Sequence, residues 1–95
     1  MSGISAHKRL EAEEVIQRCT EAHKQVTRAY CDGNCPRWIA TLAQMRLCNL
    51  RHNLQNCLDG KESAELVGLY INFAKGDLED FERAISEFKV KKEGA

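Results

Sequence analysis

The sequence predicts an all-α fold, a three-helix antiparallel bundle whose long helices run up, down and up. Apolar residues recur at steps of three and four along most of the chain, which is the helical period, and strand-like alternation is absent. Turn-forming residues cluster at two internal places, 31–36 and 58–63, and short connections make successive helices antiparallel neighbours. We therefore expect a single helical domain over residues 1–95, which dimerisation could complete.

The first helix is predicted over residues 5–30. One face of it carries Val15, Ile16, Cys19, Ala22, His23, Val26 and Tyr30. Asp32, Gly33 and Asn34 follow, and all three residue types tolerate the left-handed backbone that ends helices. The first corner therefore begins at about residue 31.

The second helix is predicted over residues 36–58. Pro36 suits its first turn, where the missing N–H would have no helical partner. The main apolar stripe consists of Ala43, Leu47, Leu50, Leu54 and Cys57, with Ile39 and Leu58 beside it. We expect this stripe to face the core.

The third helix is predicted over residues 62–90, with Ser63 as its cap. Its stripe consists of Val67, Ile71, Ala74, Leu78, Phe81, Ile85 and Phe88, at steps of four and three throughout. Because this register does not slip at Gly76, we expect one helix there. The alternative is two short helices that meet at Gly76 and Asp77.

Composition argues against several classes of function. The formal net charge is zero, which gives no reason to expect nucleic-acid or anionic-membrane binding. No apolar run approaches the roughly 20 residues of a membrane span, and the first residues lack a secretory signal. We therefore predict a cytoplasmic protein without a membrane span. The charge is uneven, because residues 1–58 carry a balance of +3 and residues 59–95 a balance of −3.

The second helix has an unusual surface, since residues 36–58 contain no acidic residue. Trp38, Met45, Cys48 and His52 fall opposite its main apolar stripe, and Arg46, Asn49, Asn53 and Asn56 form a third stripe. Tryptophan, methionine and arginine are enriched at protein interfaces. We predict a partner-binding surface, for a protein partner or in a coiled-coil-like homodimer, centred on Trp38, Met45, Arg46, Asn49, His52 and Asn53. The alternative is a helix partly wrapped by both neighbours, with Trp38 covering the bundle end.

The five cysteines suggest a second hypothesis, a thiol or metal site. Two pairs with four-residue spacing share helix faces, and together they predict a Cys2His2 zinc site formed by Cys19, His23, Cys48 and His52. In this hypothesis the corner pair, Cys31 and Cys35, is a redox alternative, because a helix N-terminus can lower the pKa of a thiol.

The spacings C-x11-C and C-x12-C resemble the disulfide-stapled helical hairpins of the mitochondrial intermembrane space, whose usual spacing is C-x9-C. That resemblance implies two bridges, Cys19–Cys48 and Cys31–Cys35. In a reducing cytosol, however, we expect most of the five cysteines to be free thiols, and an odd number cannot all pair within one chain.

Function is expected to lie in binding rather than catalysis. The chain has no nucleophile elbow, Gly-rich phosphate loop or H-E-x-x-H motif, and we assign no catalytic residue. We expect a small interaction module of the adaptor, regulatory or chaperone-like kind that self-associates through its second helix. No cofactor is expected, zinc being the alternative.

Overall fold

The computed structural model describes residues 3–94, and within them the chain forms three helices. They are α1 (Ala6–Cys31), α2 (Arg37–Leu58) and α3 (Leu66–Gly94). Each helix packs against the other two, which confirms the all-α three-helix bundle. Over the described residues, none of the helices is long and apolar enough to cross a membrane.

The two corners use the same device to end a helix. Gly33 and Gly60 each have a left-handed backbone, with φ of 77° and 78°. The glycine N–H donates to a carbonyl three residues back, at 3.1 Å to Tyr30 and 3.3 Å to Cys57. An L side chain would strain this backbone, whereas glycine does not. The pattern Asp-Gly after α1 and again after α2 therefore fixes where both helices stop.

The starts of α1 and α3 differ from each other. Ser5 caps α1, its hydroxyl accepting from the Lys8 N–H at 3.2 Å. The hydroxyl of Ser63 instead accepts from the Glu65 N–H, and a tighter turn, with Leu66 N–H bonded to the Ser63 carbonyl, precedes the helix. For this reason α3 begins at Leu66 rather than at residue 62. It then continues through Gly76, as the unbroken register predicts.

The core is a single apolar column along the bundle axis. All five residues of the main α2 stripe are buried, and so are the first five of the α3 stripe. Ile85 and Phe88 are half-buried near the end of α3, where fewer neighbours cover them. Tyr30 shares a face of α1 with the buried Val26, but it is exposed because it lies in the last turn of α1 beside the corner.

Polar contacts fix how the helices align. Gln44 donates to the Thr27 hydroxyl, and Arg51 donates to the Thr20 hydroxyl, both at 3.1 Å. These two bonds join α1 to α2 two turns apart and set their register. On the other side of α1, the Glu11 carboxylate accepts from Lys75 of α3.

Candidate functional site

The outward face of α2 carries large apolar side chains that the other two helices leave partly exposed. Trp38 is 67% exposed, Leu42 42% and Met45 61%. They follow each other at steps of four and three, so they lie in line on one helix face, and Asn49 and His52 continue the same line. These five residues, Trp38, Leu42, Met45, Asn49 and His52, are called the helix-two row below. All five are exposed.

The opposite face of α2 explains why this row is open. Leu47 and Leu54, two turns apart, are almost completely buried between α1 and α3. Two neighbouring helices can cover only the inner side of a third, so the outer side faces solvent. Both neighbours thus cover the inner side of α2, while Trp38 and Leu42 lie beside α3 and line a pocket with its residues Phe81 and Ala84.

The predicted partner-binding residues occupy two parts of this surface. Trp38, Met45, Asn49 and His52 belong to the helix-two row. Arg46 and Asn53 lie beside it, and Asn53 is half-buried. The structure thus gathers the six predicted residues on one side of the molecule, although two of them flank the row.

An ion pair bounds the row on the α3 side. Arg46 Nε donates to Asp77 Oδ2 at 2.9 Å, and the Asp77 side chain is only 12% exposed. The carboxylate of Asp77 raises the pKa of Arg46, so the arginine stays charged. Its charge is therefore compensated within the chain. The exposed ring of Phe73 lies one turn from Asp77 and lines the same α2–α3 groove.

Leu42 is the residue that the sequence analysis misses. It belongs neither to the main apolar stripe of α2 nor to the predicted partner-binding set. Its position four residues after Trp38 and three before Met45 is the signal that could have identified it.

The predicted zinc ligands do not converge. Among residues 3–94, the structure contains no group of three or more His, Cys, Asp and Glu side chains placed to hold a metal ion. Cys19 is buried in the core, whereas His52 is exposed on the helix-two row. The geometry therefore gives the zinc hypothesis no support.

The register of the first hairpin also differs from the one on which the zinc site depends. Folding about residues 33–34 would place Cys19 level with Cys48. The hydrogen bonds pair Thr20 with Arg51 and Thr27 with Gln44, which places His52 opposite position 19. The shift is about one helical turn.

The redox hypothesis depends on the state and the burial of the cysteine thiols. All five are free, so neither bridge implied by the disulfide-stapled hairpins is present. Cys31 is exposed and Cys35 is buried. Burial raises the pKa of the Cys35 thiol, and this effect outweighs its position next to the start of α2. Burial likewise raises the thiol pKa of Cys19 and of Cys57. The buried thiols are therefore protonated near neutral pH and poor nucleophiles.

A separate groove of about 430 Å³ runs between α1 and α3. Its floor includes Val26, Leu78 and Ile85, and its rim carries both signs of charge, in Arg18 and Glu82. The groove lies away from the outer face of α2, and no predicted site residue lines it.

Comparison with known proteins adds no family to this description. No protein-family model matches the chain, and no curated protein or solved structure is significantly similar to it.

Proposed function

We propose that this protein is a small interaction module, of the adaptor, regulatory or chaperone-like kind, that self-associates through the helix-two row. The observation that carries the proposal is the alignment of three exposed large apolar side chains, Trp38, Leu42 and Met45, on one face of α2. Isolated exposed apolar residues are common on protein surfaces, whereas aligned ones are typical of contact sites. Burying such side chains against a partner is favourable by about 25 cal/mol per Å² of apolar surface.

The charge distribution on α2 supports the same proposal. No acidic residue lies between positions 36 and 58, and the flanking Arg46 is neutralised by Asp77. The helix-two row itself contains no Lys, Arg, Asp or Glu, in a chain of which 29% is charged. Depletion of charge distinguishes the centre of an interface from its rim. This surface can therefore be buried without leaving an unpaired charge.

The test is Met45→Glu, which places a carboxylate in the middle of the row. Met45 makes no contribution to the buried core, so the helical circular-dichroism signal should not change. Association, measured by sedimentation velocity with reduced thiols, should be lost, because a buried unpaired carboxylate is strongly unfavourable.

The matched control is Asn72→Glu, which adds the same charge at an exposed position of α3. It should leave association unchanged. If the Met45→Glu protein associates as strongly as the parent, the helix-two row is not the contact surface. A parent chain that is monomeric at every concentration would contradict self-association itself.

A further inference from the structure

The last turns of α3 are attached to the bundle differently from the turns before them. Every buried residue of α3 lies at or before Phe81. Residues 82–94, about three and a half turns of the helix, are half-buried or exposed throughout. Of their apolar side chains, Ala84 and Ile85 pack against the core, whereas Phe88 is half-buried near the end of the helix. Residues 82–94 are called the α3 strap below.

Open space borders the α3 strap on both sides. Towards α1 lies the groove of about 430 Å³, which Ile85 and Ser86 line. Towards α2 lies a second groove, of about 360 Å³, which Ala84 shares with Trp38 and Ile39. Side chains separated by such gaps attract each other weakly, because dispersion attraction falls off steeply with distance. The strap is therefore held less firmly than the part of α3 that precedes it.

One polar contact fastens the α3 strap to the rest of the chain. Lys92 Nζ donates to the Gly33 carbonyl oxygen at 2.7 Å, which ties the end of α3 to the first corner. Within residues 3–94, this is the one side-chain hydrogen bond or ion pair that joins the strap to α1, α2 or a corner. The ion pair of Arg83 with Asp80 lies within α3 itself. Because the Lys92 contact is exposed to solvent, it stabilises the closed strap only modestly.

The remainder of this end of the bundle has its own connections. The first corner joins α1 directly to α2, and Gln44 bonds to Thr27 between the same two helices. A free helix shorter than about 12–15 residues is marginal in water, so a detached strap also loses its helical hydrogen bonds. Its detachment would connect the two grooves and expose the core side chains that border them, Val26 and Ile39.

We propose that the α3 strap is a conformational device, which opens by local unfolding after Phe81 while the rest of the bundle stays folded. The bond between Lys92 and Gly33 holds it closed. Opening merges the two grooves into one apolar surface that reaches Trp38. The opening does not depend on self-association, so the failure of either proposal leaves the other standing.

Hydrogen exchange of the full chain, followed by mass spectrometry with reduced thiols, tests the opening. Amides of residues 84–94 should exchange on the order of a hundredfold faster than those of residues 70–81, because a local opening needs far less free energy than global unfolding. Lys92→Met removes the donor but keeps an apolar stem of similar length. It should speed exchange in residues 84–94 by about fivefold, the contribution of one exposed hydrogen bond, and leave residues 70–81 unchanged.

The matched control is Lys89→Met, which removes the same charge from the same strap at an exposed position. It should leave exchange unchanged. Equal acceleration by Lys89→Met would show that helix charge, rather than the bond to Gly33, holds the strap closed. Equal protection of residues 84–94 and 70–81 in the parent chain would overturn the proposal, because α3 would then open only as a whole.

An apolar fluorescent dye tests whether opening exposes apolar surface, since such dyes bind exposed hydrophobic groups. Ile85→Ser weakens the contact of the strap with the core, and dye fluorescence should rise severalfold. Val90→Ser is the control, because Val90 is 68% exposed in the same strap. It should match the parent. Fast exchange in residues 84–94 of Ile85→Ser without added fluorescence would overturn the merged surface. Loss of protection in residues 70–81 as well would show that the strap does not open separately.

Discussion

Both faces of α2 carry large apolar side chains, but only those of the inner face are buried. On the inner face, Leu47 is 1% exposed, enclosed by α1 and α3. On the outer face, Met45 lies only two residues away and is 61% exposed. The inner residues belong to the core of the bundle, whereas the outer ones lie outside it. The contact function proposed above would account for their presence on a solvent-facing helix.

Alanine substitution at these two neighbouring positions should give the largest contrast. Leu47→Ala leaves a cavity in the core, and we expect it to lower the free energy of unfolding by about 2–5 kcal/mol. Met45→Ala removes a side chain from solvent and should change that free energy by less than about 0.5 kcal/mol. Urea unfolding followed by circular dichroism, at a concentration where the chain is monomeric, measures both.

A comparable loss in both variants would show that Met45 is buried within the monomer. The distinction between the two faces would then fail, and with it the case for the helix-two row. A small effect of Leu47→Ala would instead contradict the core described above.

Removing the ion pair between Arg46 and Asp77, which lies between the two faces, should lower the free energy of unfolding by an intermediate amount. Arg46→Ala leaves the Asp77 carboxylate nearly buried and without its partner. We expect a loss of about 1 kcal/mol, reduced from the value for a fully buried pair because the arginine is half-exposed to solvent. Asp77→Asn should cost less, since the remaining Arg46 can turn its charge towards water. Urea unfolding of both variants measures the difference, and the reverse order would contradict this assignment.

The fold could be predicted almost entirely from the sequence, because the helical period and the two Asp-Gly corners are local signals. The core stripes of α2 and α3 follow from that period alone. The start of α3 could not be predicted, since the Ser63 hydroxyl bonds to the Glu65 N–H and a tight turn precedes the helix. Such details depend on how the corner closes, which residue types alone do not determine.

The candidate site was only partly predictable. Trp38, Met45, Asn49 and His52 could be placed together because one helix face follows directly from spacing. The partner of Arg46 could not be found, because Asp77 lies 31 residues away and α2–α3 register decides which acidic residue reaches it. The register between helices also decides the zinc hypothesis. Folding about residues 33–34 would place Cys19 level with Cys48, but the α1–α2 register observed in the structure differs from this by about one turn.

The smallest expected effect is a rise, rather than a fall, in the free energy of unfolding, and substitution of Asn49 tests it. In the described residues its side chain makes no hydrogen bond, and it is exposed in the middle of α2. Asparagine is a poorer helix former than alanine by about 0.5 kcal/mol. Asn49→Ala should therefore raise the free energy of unfolding of the monomer by roughly that amount, whereas alanine at inner positions of the same helix lowers it.

The measurement needs a background without association, because a dimer would add its own stability to that of the fold. Asn49→Ala is therefore compared with its parent in the Met45→Glu chain, at two protein concentrations that should give the same urea midpoint. Leu50→Ala, one residue further on and buried, is the matched control and should destabilise. A loss of stability in Asn49→Ala would show that this amide is already engaged within the monomer. It would then be unavailable to a partner, and the polar half of the helix-two row would no longer be part of the proposed contact surface.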